Sequence, residues 1–245
     1  MNNPKGANME IAGKTVIVTG GTGGYGKGIA KAFRTAGANV WITGRNEKAL
    51  AETAEALDVS FLAADVSSPR DWDRIVSLVP SMDVLINNAG WGGKIVPVAD
   101  QEDEDIAGTI GTNLTGAIYG CKRAAKIMRE KKSGLIVNVS SVCALYAWPA
   151  WSVYTAAKAG LAKFSHGLYT ELRPFGVRVF CVTPSWGNTG FNAAAGIPSF
   201  TPELLQKTIQ PEEFGKLILQ LAELPDHLNV SDITLLPMVQ DINPM

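Results

Sequence analysis

The sequence contains no apolar run near the roughly 18 residues that a membrane-spanning helix needs, and it has no excess of charge of either sign. Its 22 basic and 23 acidic side chains leave a net charge of −1, which gives no electrostatic reason to expect nucleic acid or an anionic membrane as partner. Histidine is almost missing, with two in 245 residues, and cysteine is sparse. Cys121, Cys143 and Cys181 lie far apart among apolar neighbours, so neither a disulfide framework nor a metal site is expected. A reducing, cytoplasmic setting follows as an expectation. The opening Met1–Gly6 has no apolar core of a signal peptide and suggests a loose tail over residues 1–8 ahead of one domain, 9–245.

What the chain does have is 46% hydrophobic residues in an alternating rhythm. Short β-branched runs at residues 15–19, 39–43, 60–64, 84–86, 135–139 and 177–182 read as strands covered on both faces. Amphipathic stretches separate them, among them 26–35, 46–57, 117–130 and 151–163, the third ending in a basic turn with Gly134 as the expected stop. Such βα alternation implies right-handed crossovers and a doubly wound, mainly parallel α/β sheet with helices on both faces. One segment departs from the rhythm. Residues 185–211 are rich in Gly, Asn, Ala and Pro, carry Trp186, Phe191, Ile197 and Phe200, and are expected to cover a bound substrate.

The first strand runs into Gly20-Gly21-Thr22-Gly23-Gly24-Tyr25-Gly26. Glycines let backbone approach a ligand without a Cβ between, and the helix that follows offers free N–H groups to a diphosphate. The position between strand and helix, rather than the glycines themselves, makes this a dinucleotide site. The second strand ends Gly44-Arg45, with no carboxylate for a ribose 2′-hydroxyl but a guanidinium suited to a 2′-phosphate, so NADP(H) is favoured over NAD(H).

Tyr154 and Lys158 have i, i+4 spacing on a helical stretch, and a nearby ammonium favours the phenolate form of a tyrosine whose ordinary pKa is about 10. Ser141 ends a central strand, where a hydroxyl faces the ligand crevice of an open α/β sheet. Together with Asp65, Asn87-Asn88-Ala89-Gly90, Asn113 and Pro184, these motifs resemble the single-domain short-chain dehydrogenases/reductases, in the family order from about residue 10 to 190.

The resemblance implies roles. Tyr154 would be the general acid/base, Ser141 would polarise the substrate oxygen, and Lys158 would tune the tyrosine and hold the nicotinamide ribose. Asn113 would maintain a helix irregularity and a water in a proton relay. Gly20, Thr22, Gly24, Tyr25, Gly26, Arg45, Asp65, Val66, Asn87, Ala89, Gly90, Pro184 and Thr189 would join Tyr154 and Lys158 in holding the cofactor. The expected activity interconverts a secondary alcohol and a ketone. The closing segment 224–240 resembles a subgroup including serine/3-hydroxy acid dehydrogenases, and a non-catalytic dinucleotide sensor is the other alternative. A homotetramer or dimer is also implied, with 117–130 and 151–173 at the interfaces.

Two departures from the family pattern stand out: Ser185 replaces the usual glycine after the proline, and Tyr25 replaces a small aliphatic residue. Trp91, Val142, Cys143, Tyr146, Trp148, Trp151, Trp186 and Phe191 are expected to surround an apolar pocket for a neutral carbonyl compound. Trp148 and Trp151 could equally pack at an interface. Lys94 is the one nearby cation that could hold a substrate carboxylate, while His166 and His227 are expected at the surface.

Overall fold

A computed structural model describes residues 8–241. Within them a seven-stranded sheet has the order β3-β2-β1-β4-β5-β6-β7, and each neighbouring pair is parallel. The strands are β1 (Thr15–Thr19), β2 (Asn39–Gly44), β3 (Ser60–Ala63), β4 (Val84–Asn87), β5 (Gly134–Val139), β6 (Val177–Pro184) and β7 (Asp232–Leu235). The sequence rhythm located the first six. β7 is short and half-exposed at the sheet edge, so it lacks the continuous apolar run of its neighbours.

Successive residues of a strand face opposite sides. Val16 and Val18 accordingly enter one core layer, with α1 (Gly24–Thr35), α2 (Glu47–Leu57) and α9 (Pro211–Ala222). Ile17 enters the other, with α3 (Pro69–Leu78), α5 (Gly116–Lys131) and α6 (Ser152–Leu172). α4 (Asp103–Ile110) leads into α5 through a single π-helical turn, Gly111–Thr115. The segment 185–211 is not wholly irregular. It contains two short helices, α7 (Phe191–Ala194) and α8 (Pro202–Leu205), and a parallel bridge between Gly187 and Ile209.

Three expectations need correction. α5 ends at Lys132, which takes the left-handed conformation at φ 55°, while Gly134 is the first residue of β5. α1 begins at Gly24 rather than Gly26. Of the expected loose tail, residues 1–7 lie outside the described residues, and Asn8 forms an antiparallel bridge with Pro225.

The reversal of strand order between β1 and β4 opens a crevice at their carboxyl ends. Its geometry depends on how closely α1 crosses α9. A Cβ on Gly28 would overlap the Pro211 carbonyl, and one on Gly215 would overlap the Gly28 carbonyl. Gly28→Ala is therefore expected to force the helices apart and to cost about 1–3 kcal/mol, read as a lower urea midpoint at unchanged slope.

Candidate active site

Thr19 and Asn88 fix the floor of the crevice. The Thr19 hydroxyl accepts from the Asn88 and Ala89 amides at 3.0 and 2.9 Å, and the Asn88 side chain donates to the carbonyls of Thr19 and Gly20 at 3.0 and 3.2 Å. From this junction the chain enters the glycine loop with Gly20 at φ 67°. A Cβ there would stand 2.9 Å from Ala89 Cα, so position 20 tolerates no side chain. α1 begins with no acidic residue in its first turn and no side-chain cap on its N–H groups. Those free donors suit a diphosphate, whereas an acidic first turn would repel it.

The resulting cleft has a volume of about 880 Å³. At one end it is lined by Thr22, Gly24, Tyr25, Arg45, Asp65 and Val66. Among the described residues the exposed Arg45 side chain has no ion-pair partner. Gly20, Ala89, Gly90, Ser141, Tyr154, Lys158, Pro184 and Thr189 line the middle. These groups fit a dinucleotide: open glycine backbone, an uncapped helix start and a free guanidinium, with space continuing to the tyrosine.

The candidate catalytic side chains come from three elements. Ser141 follows β5, and its hydroxyl accepts from the Cys143 amide at 3.2 Å. Tyr154 and Lys158 lie on α6, and the Lys158 ammonium is 5.8 Å from the Tyr154 ring centroid. Lys158 is only 3% exposed; its ammonium donates to the Val139 carbonyl at 2.9 Å, while the Ser140 hydroxyl donates to the Lys158 carbonyl at 3.0 Å. Asn113 sits in the π-helical turn, where its amide donates to the carbonyls of Trp91 and Thr109 and its oxygen accepts from the Trp91 amide. It backs the cleft rather than lining it. Gly90 lets it approach: a Cβ there would stand 3.0 Å from Asn113 Oδ1 and 3.4 Å from the Lys158 nitrogen.

Beyond Tyr154 the wall is aromatic. Trp91, Val142, Cys143, Trp148, Trp151, Trp186 and Phe191 all line the cleft, with Ile197 and Phe200 from the covering segment. Phe191 stacks on Trp151 at 6.1 Å and meets the Tyr154 ring at 5.4 Å; Trp186 meets Phe200 at 4.9 Å. Lys158 is the sole cation of this half among the described residues.

Several expected site residues are elsewhere. Asn87 points into the α5 layer, donating to Asn138 at 2.8 Å and to Cys121 at 3.2 Å, so Asn88 reaches the cleft in its place. Gly26 contributes close packing, since a Cβ there would overlap the Gly20 carbonyl. Tyr146 packs edge-on to Trp148 at 6.2 Å, outside the lining. Lys94 is exposed and away from the cleft, and His166 bonds to Asp232 on β7. Sequence reasoning missed Asn192 and Gln240. Gln240 accepts from the Trp186 amide at 3.4 Å, but no local pattern marks a residue brought there from beyond β7.

A family model described as short chain dehydrogenase matches residues 14–197. The chain belongs to the short chain dehydrogenase family. It is 28% identical over 237 residues to an uncharacterized oxidoreductase of Staphylococcus aureus, covering 93% of this chain and 99% of that protein. It is 31% identical over 238 residues to sulfoacetaldehyde reductase 2 of Chromohalobacter salexigens, covering 92% and 94%. Among solved structures, a closed form of serine dehydrogenase complexed with NADP+ is similar at a TM-score of 0.86 and 28% identity, covering 94% of this chain and 98% of that one.

In this short chain dehydrogenase, burial dominates the electrostatics of the pair. It pushes the Tyr154 phenol well above its ordinary value, with a smaller opposing contribution from the Ser141 hydroxyl. The expected lowering by Lys158 does not prevail. Burial also depresses the Lys158 ammonium to about 8, against 10.5 for an unburied lysine. Below pH 8 both folded and unfolded chains hold the proton and the folded state bears the full desolvation cost; the cost shrinks as pH rises from about 8 to 10.5. Lys158→Met is therefore expected to stabilise the fold by about 1–3 kcal/mol at pH 7, and by less at pH 10, in denaturant titrations at both values.

Proposed function

We propose that the protein is an NADP(H)-dependent oxidoreductase that interconverts a neutral, largely apolar secondary alcohol and its ketone. The observation that carries this reading is the meeting of Ser141, Tyr154 and Lys158 in a cleft whose outer half is aromatic and has no other cation among the described residues. A carboxylate or sulfonate in that half would be desolvated without a partner. The names of two relatives, serine dehydrogenase and sulfoacetaldehyde reductase, describe anionic or zwitterionic compounds, and this cleft is poorly furnished for either.

A nicotinamide dinucleotide held in this cleft would supply the hydride chemistry at the carbonyl carbon. Ser141 donates a hydrogen bond to the substrate oxygen and orients it. Tyr154, kept protonated by its burial, gives its proton to that oxygen as negative charge develops, and recovers it in the alcohol-to-ketone direction. Lys158 offsets the charge left on the phenolate, and Asn113 holds the turn behind it. Phe191 and Trp151 exclude water from the reacting atoms. At the other end, Gly20, Thr22 and Gly24 would hold the diphosphate and Arg45 would pair with the 2′-phosphate.

The test is NADPH oxidation against neutral aryl and alkyl ketones and 3-oxo acids, with Tyr154→Phe in parallel. The expected result is turnover of neutral ketones that falls on the order of 10³-fold in the variant. Turnover confined to the oxo acids would instead favour the hydroxy acid dehydrogenase reading supported by the serine dehydrogenase neighbour, and NADPH binding without any turnover would favour a sensor. Arg45 supports a second measurement. A Cβ on Gly44 has room, 3.7 Å from the nearest Leu50 carbon, so Gly44→Asp can be accommodated beside the 2′-phosphate position. It is expected to shift the NADPH/NADH ratio of kcat/KM about tenfold or more toward NADH, through like-charge repulsion.

A further inference from the structure

Two departures from the family pattern, Tyr25 in the first turn of α1 and Ser185 just after β6, touch each other. The Tyr25 hydroxyl donates to the Ser185 carbonyl at 3.2 Å, and its ring is braced against Phe214 of α9 at 4.3 Å between centroids. Burial holds the phenol in its protonated, donating form. Two further contacts reinforce the junction. A Cβ on Gly187 would overlap the Tyr25 hydroxyl, and a Cβ on Gly24 would stand 3.0 Å from the Thr189 side chain. The phosphate-binding loop and the turn at 185–189 are therefore interlocked. That turn is the base from which α7 carries Phe191, and the stretch between α7 and α8 carries Ile197 and Phe200, into the cleft.

We propose that Tyr25 is a positioning residue that tethers the base of the substrate-covering segment to the phosphate-binding loop, so that a diphosphate held by the loop steadies the cover before substrate arrives. The proposal rests on the preceding reading only for the identity of the loop's ligand. A ring wedged on Phe214 gives the hydroxyl one position, so a loop made rigid by its ligand passes that rigidity to Ser185. Occupation of the loop and closure of the cover then favour each other.

Limited chymotrypsin digestion of the whole protein tests this, because the segment offers Phe191, Phe200 and Leu205 for cleavage. Tyr25→Phe keeps the ring and removes only the hydroxyl. With no ligand present, cleavage within 191–207 is expected to be about fivefold faster in the variant, the scale of one hydrogen bond, at nearly the same melting temperature. NADPH, added at saturation as judged by each protein's own binding titration, is expected to slow that cleavage in the native protein and to lose most of this effect in the variant. Equal cleavage of the two proteins in both arms would overturn the tether. Failure of the native protein to bind NADPH would overturn the cofactor reading instead, leaving the ligand-free arm to decide the tether. A second pair guards against a merely unstable variant. Gly187→Ala is expected to accelerate cleavage roughly tenfold in the native background but at most about twofold with Tyr25→Ile, whose side chain leaves the added methyl room. Additive effects would contradict the interlock.

Discussion

The junction between Thr19 and the Asn88-Ala89 pair is the constraint on which the cleft depends. It joins β1 to β4 at the point where strand order reverses, and it uses a side-chain hydroxyl to receive two backbone amides that have left the strand ladder. Without that hydroxyl, the partly buried Ala89 N–H would lose its acceptor and the Asn88 N–H would keep only the Ile86 carbonyl at 3.1 Å. The loop leaving β1 and the loop leaving β4 would then be joined here only through the Asn88 side chain and the Thr19 and Gly20 carbonyls. Gly20 approaches Ala89, and Gly90 approaches Asn113 and Lys158, only while both loops hold their places. The glycines permit the approach, and the Thr19–Asn88 bonds enforce it.

That division explains what the sequence made legible. Strands buried on both faces announce themselves as apolar runs, and the glycine loop between β1 and α1 announces a phosphate site by its position. The neighbouring asparagines were harder to sort, because residues one apart on a strand face opposite layers. Asn87 therefore serves the interior network with Asn138 and Cys121, while Asn88 serves the cleft. Motif spacing could not separate those duties. Gln240 and Asn192 were invisible for a different reason: a tertiary approach across dozens of residues leaves no local period. Lys132, rather than a glycine, stops α5, while Gly134 serves packing at the start of β5, where a Cβ would overlap the Met128 side chain.

The Tyr154–Lys158 pair carries a related tension. Burial raises the phenol and depresses the ammonium, so each group is driven toward its neutral form in the folded chain. The Val139 carbonyl gives Lys158 one hydrogen bond, which does not replace a full hydration shell. Stability alone would favour an apolar side chain at this position. A buried ammonium beside a tyrosine is explained by what it can do when negative charge appears nearby, where the same low dielectric that makes it costly makes its attraction strong.

Sheet topology also divides the labour along the cleft. Loops from the β1 and β2 side bring glycines, a free helix start and Arg45, all suited to negative charge; loops from the β5 and β6 side bring Trp148, Trp151, Trp186 and Phe191, suited to apolar surface. The two halves meet where Ser141, Tyr154 and Lys158 converge, so a charged ligand group and an apolar one would not have to share one dielectric environment. Tyr25 is the exception that crosses the divide. It belongs to the phosphate loop by sequence and to the base of the aromatic cover by contact. An aliphatic residue could pack on Phe214 equally well, but it could not donate to Ser185. The hydroxyl is thus the atom that joins the start of α1 to the turn after β6.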